Sequence, residues 1–373
     1  MNRVAVSVIV PTYREAENLP VLVPRVAAAL EQAGLSFEIV IVDDNSPDAT
    51  AQVCAELAER FPVRLEVRTA ERGLSSAVVH GLKSARGDSL VVMDADLSHP
   101  PEKIPELLQA LEAGAEFVIG SRYVRGGTTA EGWGLFRWLN SKVATLLARP
   151  LTCARDPMAG FFALRRTTFE AARDLDPIGY KIGLELLVKC RCRDVREVPI
   201  QFENRLHGTS KLSIKEQINY LRHLKRLYEF KFGDVARFLQ FLVVGGTGMV
   251  VDLAFYVLLL GWLPLGVARG LAIGIAMTWN FALNRRFTFS FARTRALLPQ
   301  YLKFCLSCGL GAAVNWSTSI AAGSLLTFLV GRPLLAAALG IIAGSLVNFA
   351  LCNAAVFQRA KPATAAVPSA PVA

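Results

Sequence analysis

Charged residues are scarce in the last third of the sequence. Only 19% of the 373 residues are Asp, Glu, Lys or Arg, whereas 53% are hydrophobic, and the mean hydropathy is +0.37. Charges are frequent up to Arg237 and then give way to long apolar stretches broken by short basic clusters. This distribution excludes a wholly soluble chain and predicts two domains, a soluble half followed by a membrane half.

Signatures of nucleic-acid binding are absent, although the chain is basic. The net charge is +10 and the isoelectric point about 9.4, yet there is no RNA-recognition signature and no zinc-finger spacing. Lys and Arg collect on the cytoplasmic side of membrane helices, and phosphate-bearing substrates also favour them. We therefore expect no nucleic-acid partner, and we attribute the positive charge to a membrane and to phosphates.

Cysteine chemistry is also lacking. The seven cysteines are an odd number, and Cys305 and Cys308 form a CxxC with no second pair or histidine nearby. Small buried hydrophobic side chains explain them better than a disulfide or a metal site. The apolar run in MNRVAVSVIVPTY is too short for a signal peptide, so we expect the soluble half to begin and stay in the cytoplasm.

Short, nearly continuous apolar runs alternate with helical patterns through the first half. The predicted strands are Val4–Val10, Glu38–Val42, Val63–Val67, Ser89–Met93 and Phe117–Gly120. The predicted helices are Glu17–Gln32, Ala49–Arg60, Ser75–Ala85 and Pro101–Ala113. Apolar runs of this kind are typical of strands covered on both faces, and the alternation predicts a mostly parallel α/β sheet with helices on both sides.

Acids and turn residues follow three of these strands, where α/β sheets bind their ligands. The three stretches are Pro11–Glu15, Asp43–Asp48 and Asp94–Ser98. Helix capping explains Asp48, but Asp94 and Asp96 leave an apolar strand only two residues apart. Such close like charges are costly unless a cation lies beside them, so we favour a divalent-metal site over a solvated turn.

The metal site suggests the reaction. Mg²⁺ or Mn²⁺ held by one or two carboxylates usually takes its other ligands from substrate phosphates. A nucleoside diphosphate is a poor leaving group until its charge is neutralised, and the metal supplies that neutralisation as a Lewis acid. We therefore expect Mg²⁺ or Mn²⁺ as the cofactor.

Eight ordered motifs across residues 11–212 carry a family resemblance. They are PTYREAENLP, VDDNSPDAT, RGLSSAVVHGLKSARGD, VMDADLSHPPE, GSRYVRGG, DPMAGFF, GYKIGLELLVK and EVPIQFENRLHGTSKL. The chain resembles dolichol-phosphate mannose synthases, within the inverting glycosyltransferases of the A-type nucleotide-sugar fold. The resemblance implies a Rossmann-like domain that transfers mannose from GDP-mannose to a polyprenyl phosphate, with inversion and with a metal ion.

The family's site roles transfer onto matching positions. The base and ribose would be held by Pro11, Tyr13, Glu15, Val42 and Asp44. The metal and diphosphate would be held by Asp94, Ala95, Asp96 and Ser98, and the phosphates by Arg122, Arg205 and Lys211. Ser98 stands where the family pattern DADLQ has Gln, and Ala159 stands where SGFF has Ser. Both departures bear on metal preference and donor sugar.

A lipid phosphate acceptor needs no catalytic base, because a phosphate monoester is largely dianionic at neutral pH. Arg137 and Ser141 are four residues apart, hence on one helix face, and by resemblance they bind the acceptor phosphate together with Arg122. Asp156 is a further acid of the site. The mixture of Trp, Leu and basic residues over 133–149 suits a helix in the membrane interface, although an ordinary core helix has the same composition.

Four apolar segments of the length of spanning helices follow a basic helix at Ile214–Phe232, which suits anionic headgroups. The segments are Phe238–Leu260, Val267–Leu283, Tyr301–Leu325 and Leu334–Val356. Basic residues cluster before the first, between the second and third, and after the fourth, whereas only Arg269 and Arg332 lie near the other turns. This bias predicts an integral membrane protein, of the plasma membrane in a prokaryote, with both termini and the catalytic domain cytoplasmic.

The apolar half looks duplicated. Phe238–Phe241 matches Tyr301–Phe304, and Asn280–Leu283 matches Asn348–Leu351, so two parallel two-helix repeats are expected. This half resembles four-helix GtrA-like membrane domains. Four polar residues lie inside apolar runs and are candidates for function or for interhelical hydrogen bonds: Asp252, Asn280, Asn315 and Asn348.

The predicted organisation has four parts. A catalytic domain covers 1–213, basic amphipathic helices 214–236, an all-α four-helix membrane domain 237–360, and a disordered tail 361–373. Two other functions remain open: a UDP-glucose-dependent glucosyltransferase and a lipid-linked sugar flippase with a loading domain. The membrane helices are also expected to serve as an anchor or to form a homo-oligomer.

Overall fold

The chain forms two compact units, Met1–Lys231 and Phe232–Ala373, in a computed structural model. The structure describes residues 4–129, 135–176, 178–203, 214–325 and 333–358.

A seven-stranded sheet is the centre of the first unit. Its strands are β1 Val6–Thr12, β2 Phe37–Asp43, β3 Val63–Val67, β4 Ser89–Val92, β5 Phe117–Ser121, β6 Phe162–Arg165 and β7 Val195–Pro199. Their order in the sheet is β3-β2-β1-β4-β6-β5-β7, and only β6 runs antiparallel to its neighbours. The predicted α/β class is confirmed, because the carboxyl ends of six strands meet at one edge.

Helices cover both faces of this sheet. They are α1 Leu19–Gln32, α2 Thr50–Ala58, α3 Leu74–Ser84, α4 Ile104–Glu112, α5 Leu135–Ala148, α6 Arg166–Glu170, α7 Ile182–Lys189 and α8 Ile214–Phe232. The buried side chains of β1 alternate between two cores, with Val8 and Val10 on one face and Ile9 on the other. The four predicted helices match α1 to α4, and the last is preceded by a 3₁₀ turn at Pro101–Lys103.

The sequence pattern predicts no strand at β6 or β7. β6 has four residues and lies between β4 and β5, so neither its length nor a following helix marks it as part of the parallel alternation. β7 is an edge strand in which Arg196 and Glu197 replace the apolar run that marks the inner strands. In both strands, the position in the sheet decides which residues are tolerated, so an apolar run is not required.

Helix α8 packs into the first unit. Leu224 and Leu227 are buried in a cluster with residues of α7 and of the end of α5. The Tyr220 hydroxyl donates to the carbonyl of Ala144 at 2.6 Å, and the Tyr228 hydroxyl donates to that of Leu147 at 2.7 Å. The basic helix expected between the two domains therefore docks on α5 through one face, and the boundary between the compact units falls after it.

A buried charge cluster also holds α8. Glu185 of α7 lies 3.2 Å from His223 Nε2 of α8 and 2.8 Å from Lys189 Nζ, and it accepts the Asp176 N–H at 2.7 Å. Burial opposes ionisation of Glu185, but the close approach of His223 and Lys189 prevails and lowers its pKa to about 2. The carboxylate is thus charged in the folded protein.

We expect Glu185→Gln to remove an acid-sensitive part of the stability. A folded-state pKa below the ordinary 4.5 stabilises the protein fully above that value, and this stability is lost as pH falls toward 2. The melting temperature of the variant should therefore lie below that of the wild type at pH 7, with a gap that narrows below pH 4.5. Melting of the full chain in detergent across this range measures it, with exposed Glu112→Gln as the control. A gap that is constant with pH would contradict the assignment.

Four long helices build the second unit. They are α9 Asp234–Leu260, α10 Leu265–Leu283, α11 Leu297–Leu325 and α12 Pro333–Leu351, and each is long and apolar enough to cross a membrane. α9 packs on α10 and α11 packs on α12, as two hairpins. The four predicted spans are confirmed within a few residues.

The two hairpins end in the same way. α10 and α12 each continue into a π-helical turn, Asn284–Thr288 and Cys352–Val356, and each turn is closed by a phenylalanine. The Phe289 and Phe357 rings stack at 4.6 Å between centroids with an interplanar angle of 6°. Matched turns that meet face to face show the structural duplication that the repeated sequence predicts.

Glycine and asparagine are matched within the hairpins. A Cβ on Gly248 would overlap the Asn280 side chain, and a Cβ on Gly311 would come within 2.9 Å of Asn348 Cβ. The other polar residues of the spans make short-range contacts: Asp252 pairs with Arg269 at 2.8 Å, and Ser307 donates to Asn348 at 2.7 Å. These contacts bear out interhelical bonding for Asp252 and Asn348.

We expect Gly340→Ala to destabilise the second hairpin. A Cβ at Gly340 of α12 would overlap the Ser319 hydroxyl and the Asn315 carbonyl of α11, so the helices must separate, at a cost of about 1–3 kcal/mol. The matched control is Gly309→Ala on α11, where a Cβ meets no atom within 4 Å. Melting of the detergent-solubilised chain should show a clear loss for the first variant alone; equal melting temperatures would show that the hairpin packs otherwise.

Candidate active site

The loops at the carboxyl edge of the sheet are conformationally strained. Arg14 after β1, Asn45 after β2 and Leu97 after β4 have φ of 63°, 55° and 61°, which non-glycine residues seldom adopt. These are three of the five such residues in the described part of the chain, and each lies in one of the stretches that the sequence marked. Strain of this kind concentrates where surrounding contacts fix a functional geometry.

Asp43 ties the first two loops together. Its carboxylate accepts hydrogen bonds from the Thr12 hydroxyl at 3.1 Å and from the Ser46 N–H and hydroxyl at 2.7 and 2.6 Å. Ser46 Oγ in turn accepts the Arg14 N–H at 2.8 Å. The Asp43 side chain therefore has a structural role in shaping the loops.

The residues predicted to hold the base and ribose lie along this edge. Pro11 and Val42 are paired across β1 and β2, and both side chains are buried. Tyr13 follows β1, and the guanidinium groups of Arg14 and Arg72 lie 5.4 and 5.6 Å from its ring centroid. Glu15 accepts the Asn18 amide at 2.6 Å.

Asp44 is held by a cation that the motif analysis missed. Arg68, the residue after β3, donates from Nε at 2.8 Å and from Nη2 to Asp44 Oδ1, and the Gly73 N–H donates to Oδ2 at 2.7 Å. Both side chains are buried. Arg68 directly follows β3, just as the acids follow their strands. This position in the sequence could have identified it as a residue of the site.

The two acids after β4 differ in setting. Asp96 is buried and accepts the Ser98 N–H at 3.2 Å and the Ser98 hydroxyl at 2.5 Å, whereas the Asp94 side chain is 29% exposed. Gly160 lies against Asp94: a Cβ there would stand 3.1 Å from the nearer carboxylate oxygen. The glycine thus keeps space open beside this carboxylate.

The residues present fit a divalent cation. Two carboxylates from one turn supply the hard oxygen donors that Mg²⁺ and Mn²⁺ accept, and Gly160 leaves room next to one of them. No group of three or more His, Cys, Asp or Glu ligands occurs in the described part of the chain. Substrate oxygens would have to complete the coordination. Ser98 supports Asp96 through its hydroxyl, and Ala95 between the acids is buried.

His99 forms the floor of this turn. Its ring stacks on Phe161 at 5.3 Å, and its Nδ1 accepts the Asp94 N–H at 3.1 Å. Burial lowers its pKa more than Asp94 and Asp96 raise it, so the imidazole is neutral. His99, left without a role by its sequence, orients the backbone of Asp94.

Arg122, after β5, is locked to Asp156. The fully buried Asp156 carboxylate accepts from Arg122 N at 3.1 Å, Nε at 2.7 Å and Nη2 at 2.8 Å. The Arg122 guanidinium also lies 5.1 Å from the Phe202 ring centroid. The structure thus joins two predicted site residues that are 34 positions apart, and gives Asp156 the role of orienting Arg122.

Lys181 is a second cation of this region, and the motif analysis gave it no role. It is half-buried, and its pKa is lowered to about 8, first by loss of hydration and then by the charge of Arg122, while Asp156 and Asp94 act in the opposite sense. These influences locate Lys181 within electrostatic reach of the acids. Lys181 lies in the motif GYKIGLELLVK, and this motif could have identified it as a candidate site residue.

On the acceptor side, Ser141 Oγ lies 2.7 Å from the Tyr123 hydroxyl, and Lys142 Nζ lies 4.7 Å from the Tyr123 ring centroid. The outer face of α5 is apolar and exposed, with Leu139, Val143 and Leu146 at 53%, 45% and 69% exposure. The Arg137 side chain, Arg205 and Lys211 lie outside the described residues.

Two families match separate parts of the chain. Glycosyl transferase family 2 matches residues 7–172, and the GtrA/DPMS transmembrane domain matches residues 240–357. The fold and the site thus define a membrane-embedded glycosyltransferase.

Curated relatives narrow the class. The chain is 43% identical over 316 residues to a dolichol-phosphate mannosyltransferase of Pyrococcus furiosus, with 83% of this chain and 88% of the relative covered. It is 47% identical over 237 residues to the protein of that name from Mycosarcoma maydis, with 61% and 81% covered. The chain belongs to the dolichol-phosphate mannosyltransferase family.

Among solved structures, the chain is similar to glucosyl-3-phosphoglycerate synthase from Mycobacterium tuberculosis. The sequence identity is 19%, the TM-score is 0.46, and the match covers 61% of this chain and 80% of that one.

We expect Asp156→Asn to destabilise the first unit. The amide would present a donor to Arg122, and the guanidinium would stay buried without its counter-charge, at a cost of about 3–5 kcal/mol. The control is Asp194→Asn, which breaks an exposed Asp–Arg pair with Arg196 and should change little. Melting temperatures of the full chain measure both; similar values for the two variants would contradict the structural importance of the buried pair.

Proposed function

We propose that the chain transfers mannose from GDP-mannose to a polyprenyl phosphate, with inversion at the anomeric carbon. The observation that carries the proposal is Asp94 and Asp96 at the carboxyl edge of the sheet, in a chain whose relatives are named dolichol-phosphate mannosyltransferase. The exposed apolar face of α5 beside Ser141 and Tyr123 supports a lipid acceptor.

The donor nucleotide would lie over β1 and β2. Tyr13 with its two neighbouring arginines offers an aromatic face and positive charge, and Asp44 is fixed in place by Arg68 and Gly73. A carboxylate held in this way is suited to accept hydrogen bonds from ribose hydroxyls without rearranging. The diphosphate then extends toward β4.

Asp94 and Asp96 would hold Mg²⁺ or Mn²⁺ against the diphosphate, where the cation acts as a Lewis acid that stabilises the departing charge. Arg122, locked by Asp156, and Lys181 add fixed positive charge on the β5 side of the same edge. Charges fixed before reaction cost no reorganisation when the leaving group develops its charge.

The acceptor would enter from the α5 side. A phosphate oxygen of the lipid attacks the anomeric carbon, the bond from that carbon to the diphosphate oxygen breaks, and the electron pair leaves with GDP. No proton moves, because the lipid phosphate is already ionised. The hydroxyls of Ser141 and Tyr123 would donate hydrogen bonds to it, and Arg137 and Lys142 stand on the helix of Ser141.

The catalytic unit would lie on the cytoplasmic face, in the plasma membrane of a prokaryote. Arg285, Arg286, Arg293 and Lys303 all lie at the connection between α10 and α11, whereas the connection between α9 and α10 has Arg269 nearby. This excess of basic residues favours placing the connection between α10 and α11 in the cytoplasm. The amino end of α9 lies on the same side, because α9 and α10 each cross the membrane once.

We expect Asp94→Asn to lower mannosyl transfer by about 10³-fold, because the loss of one metal-binding carboxylate removes several kcal/mol of leaving-group stabilisation. The matched control is Asp88→Asn, just before β4 at the opposite end of the same strand, which should keep its rate within about twofold. Transfer from labelled GDP-mannose to a short-chain polyprenyl phosphate, with Mn²⁺ and with EDTA, is the assay.

The same assay tests the donor and the reaction class. Transfer from UDP-glucose and none from GDP-mannose would show that the donor is UDP-glucose. A wild-type rate for Asp94→Asn would contradict the proposed role of Asp94 in metal binding. Activity that is full in EDTA would have the same consequence.

A further inference from the structure

A basic cavity lies in the second unit, where the first hairpin connects to the second. Its volume is about 590 Å³, within the range of ligand pockets. Arg285 and Arg286 line it from the π-turn that ends α10, Arg293 lines it from the connection, and Tyr301 lines it from α11. Every residue that lines it belongs to the second unit.

The arginines are held in place by the connection itself. Arg285 Nη2 donates to the carbonyls of Arg293 and Arg295 at 2.7 and 2.9 Å, and Arg293 donates to the carbonyl of Arg286. Arg285 Nε is buried and has no hydrogen-bond acceptor among the described residues. Hydrogen bonds to the connection thus fix the Arg285 and Arg293 side chains at the cationic end of the cavity.

These charges are not neutralised by acids of the described chain. The residues that line the cavity include no carboxylate, and no ion pair joins Arg285, Arg286 or Arg293 to an Asp or Glu in the described ranges. Three guanidinium groups around one space repel each other, which favours an anion between them. A phosphate matches their forked donors better than a halide does.

The remaining wall is apolar. Phe281, Ala282 and Leu297 line it, and the Tyr301 ring packs on Phe281 at 5.1 Å with its hydroxyl 2.9 Å from Thr278 Oγ1. Ala282 and Leu297 are exposed. A space with guanidinium groups at the end of two spanning helices and apolar side chains along them suits a molecule with a phosphate head and a hydrocarbon tail.

The second repeat differs at the π-turn itself. At the positions that correspond to Arg285 and Arg286, it has Asn353 and Ala354, although the π-turns and their closing phenylalanines are the same. The arginines are therefore not required by the turn. A role in topology alone would not demand that they surround a cavity.

We propose that this cavity binds the phosphate headgroup of a membrane lipid, through Arg286 and Arg293, with the lipid chain along Phe281, Ala282 and Leu297. The shared chemistry is a lipid phosphate, carried either by a glycerophospholipid or by a polyprenyl phosphate. The proposal does not rest on the transfer reaction, because no residue of the α/β unit takes part.

The test counts lipids bound to the delipidated full chain in uncharged detergent by native mass spectrometry. Phosphatidylglycerol, farnesyl phosphate and inorganic phosphate are titrated separately. We expect R286Q/R293Q to lower the affinity for one bound lipid by about tenfold or more, since two charge-assisted contacts are lost. Lys303→Gln removes a nearby exposed charge that does not line the cavity, and it should stay within about twofold of the wild type.

A second variant leaves the charges intact. Ala282→Trp fills the apolar side of the cavity, and Ala350→Trp places the same bulk at the corresponding exposed position of the second repeat. We expect the first alone to weaken lipid binding. Because neither charge nor buried packing changes, this pair remains informative if the double arginine variant fails to fold.

The outcomes separate the lipid sources. Weakened phosphatidylglycerol binding alone identifies a resident phospholipid, and weakened farnesyl phosphate binding alone identifies a polyprenyl phosphate; either supports the proposal. Equal affinities of wild type, R286Q/R293Q and Ala282→Trp for both lipids would overturn it, as would loss of inorganic phosphate binding alone. Mannosyl transfer is measured in parallel, so failure of the proposed reaction is visible independently.

Discussion

The site depends on which partners hold the carboxylates that crowd one edge of the sheet. Parallel strands bring the loops that follow them together, and this edge of the sheet carries five aspartates: Asp43, Asp44, Asp94, Asp96 and Asp156. Asp43 is bound by Ser46 and Thr12, Asp44 by Arg68 and Gly73, and Asp156 by Arg122, whereas Asp96 accepts hydrogen bonds from Ser98 of its own turn. The pair after β4 stands apart, because its two charges lie on one turn with a glycine beside them, and this difference separates acids that shape the loops from acids suited to a cation.

Buried polar side chains also pair with each other where α8 docks. Glu185, His223 and Lys189 are buried together between α7 and α8, and the apolar cluster around Leu224 and Leu227 encloses them. Docked in this way, α8 leaves Ile218 and Leu221 exposed, as α5 leaves Leu139 and Leu146. Two neighbouring helices of the first unit thus present apolar side chains outward. The buried cluster therefore holds in place a helix that contributes to this exposed apolar surface.

Local sequence signals predicted most of this fold, and contacts between distant residues account for the rest. Apolar runs predicted β1 to β5, and segment lengths predicted the four spans, because burial on both faces or within a bilayer writes a continuous pattern. β6 and β7 carry no such pattern. The strand-end acids and Arg122 were predicted, but Arg68, which is 24 residues from Asp44 and donates to it, was not. A cation's partner depends on which strands become neighbours, and composition does not encode that.

The membrane unit shows where duplication ends and specialisation begins. Both repeats keep the glycine against an asparagine, the π-turn and the phenylalanine that closes it, because Phe289 stacks on Phe357 and neither repeat can change its turn alone. Arg285 and Arg286 lie under no such constraint, since Asn353 and Ala354 occupy the same places in an equivalent turn. Residues that the packing does not demand, and that repel one another, have a cost in stability. A phosphate bound beside Arg285 and Arg286, as we propose, would offset that cost in the first repeat.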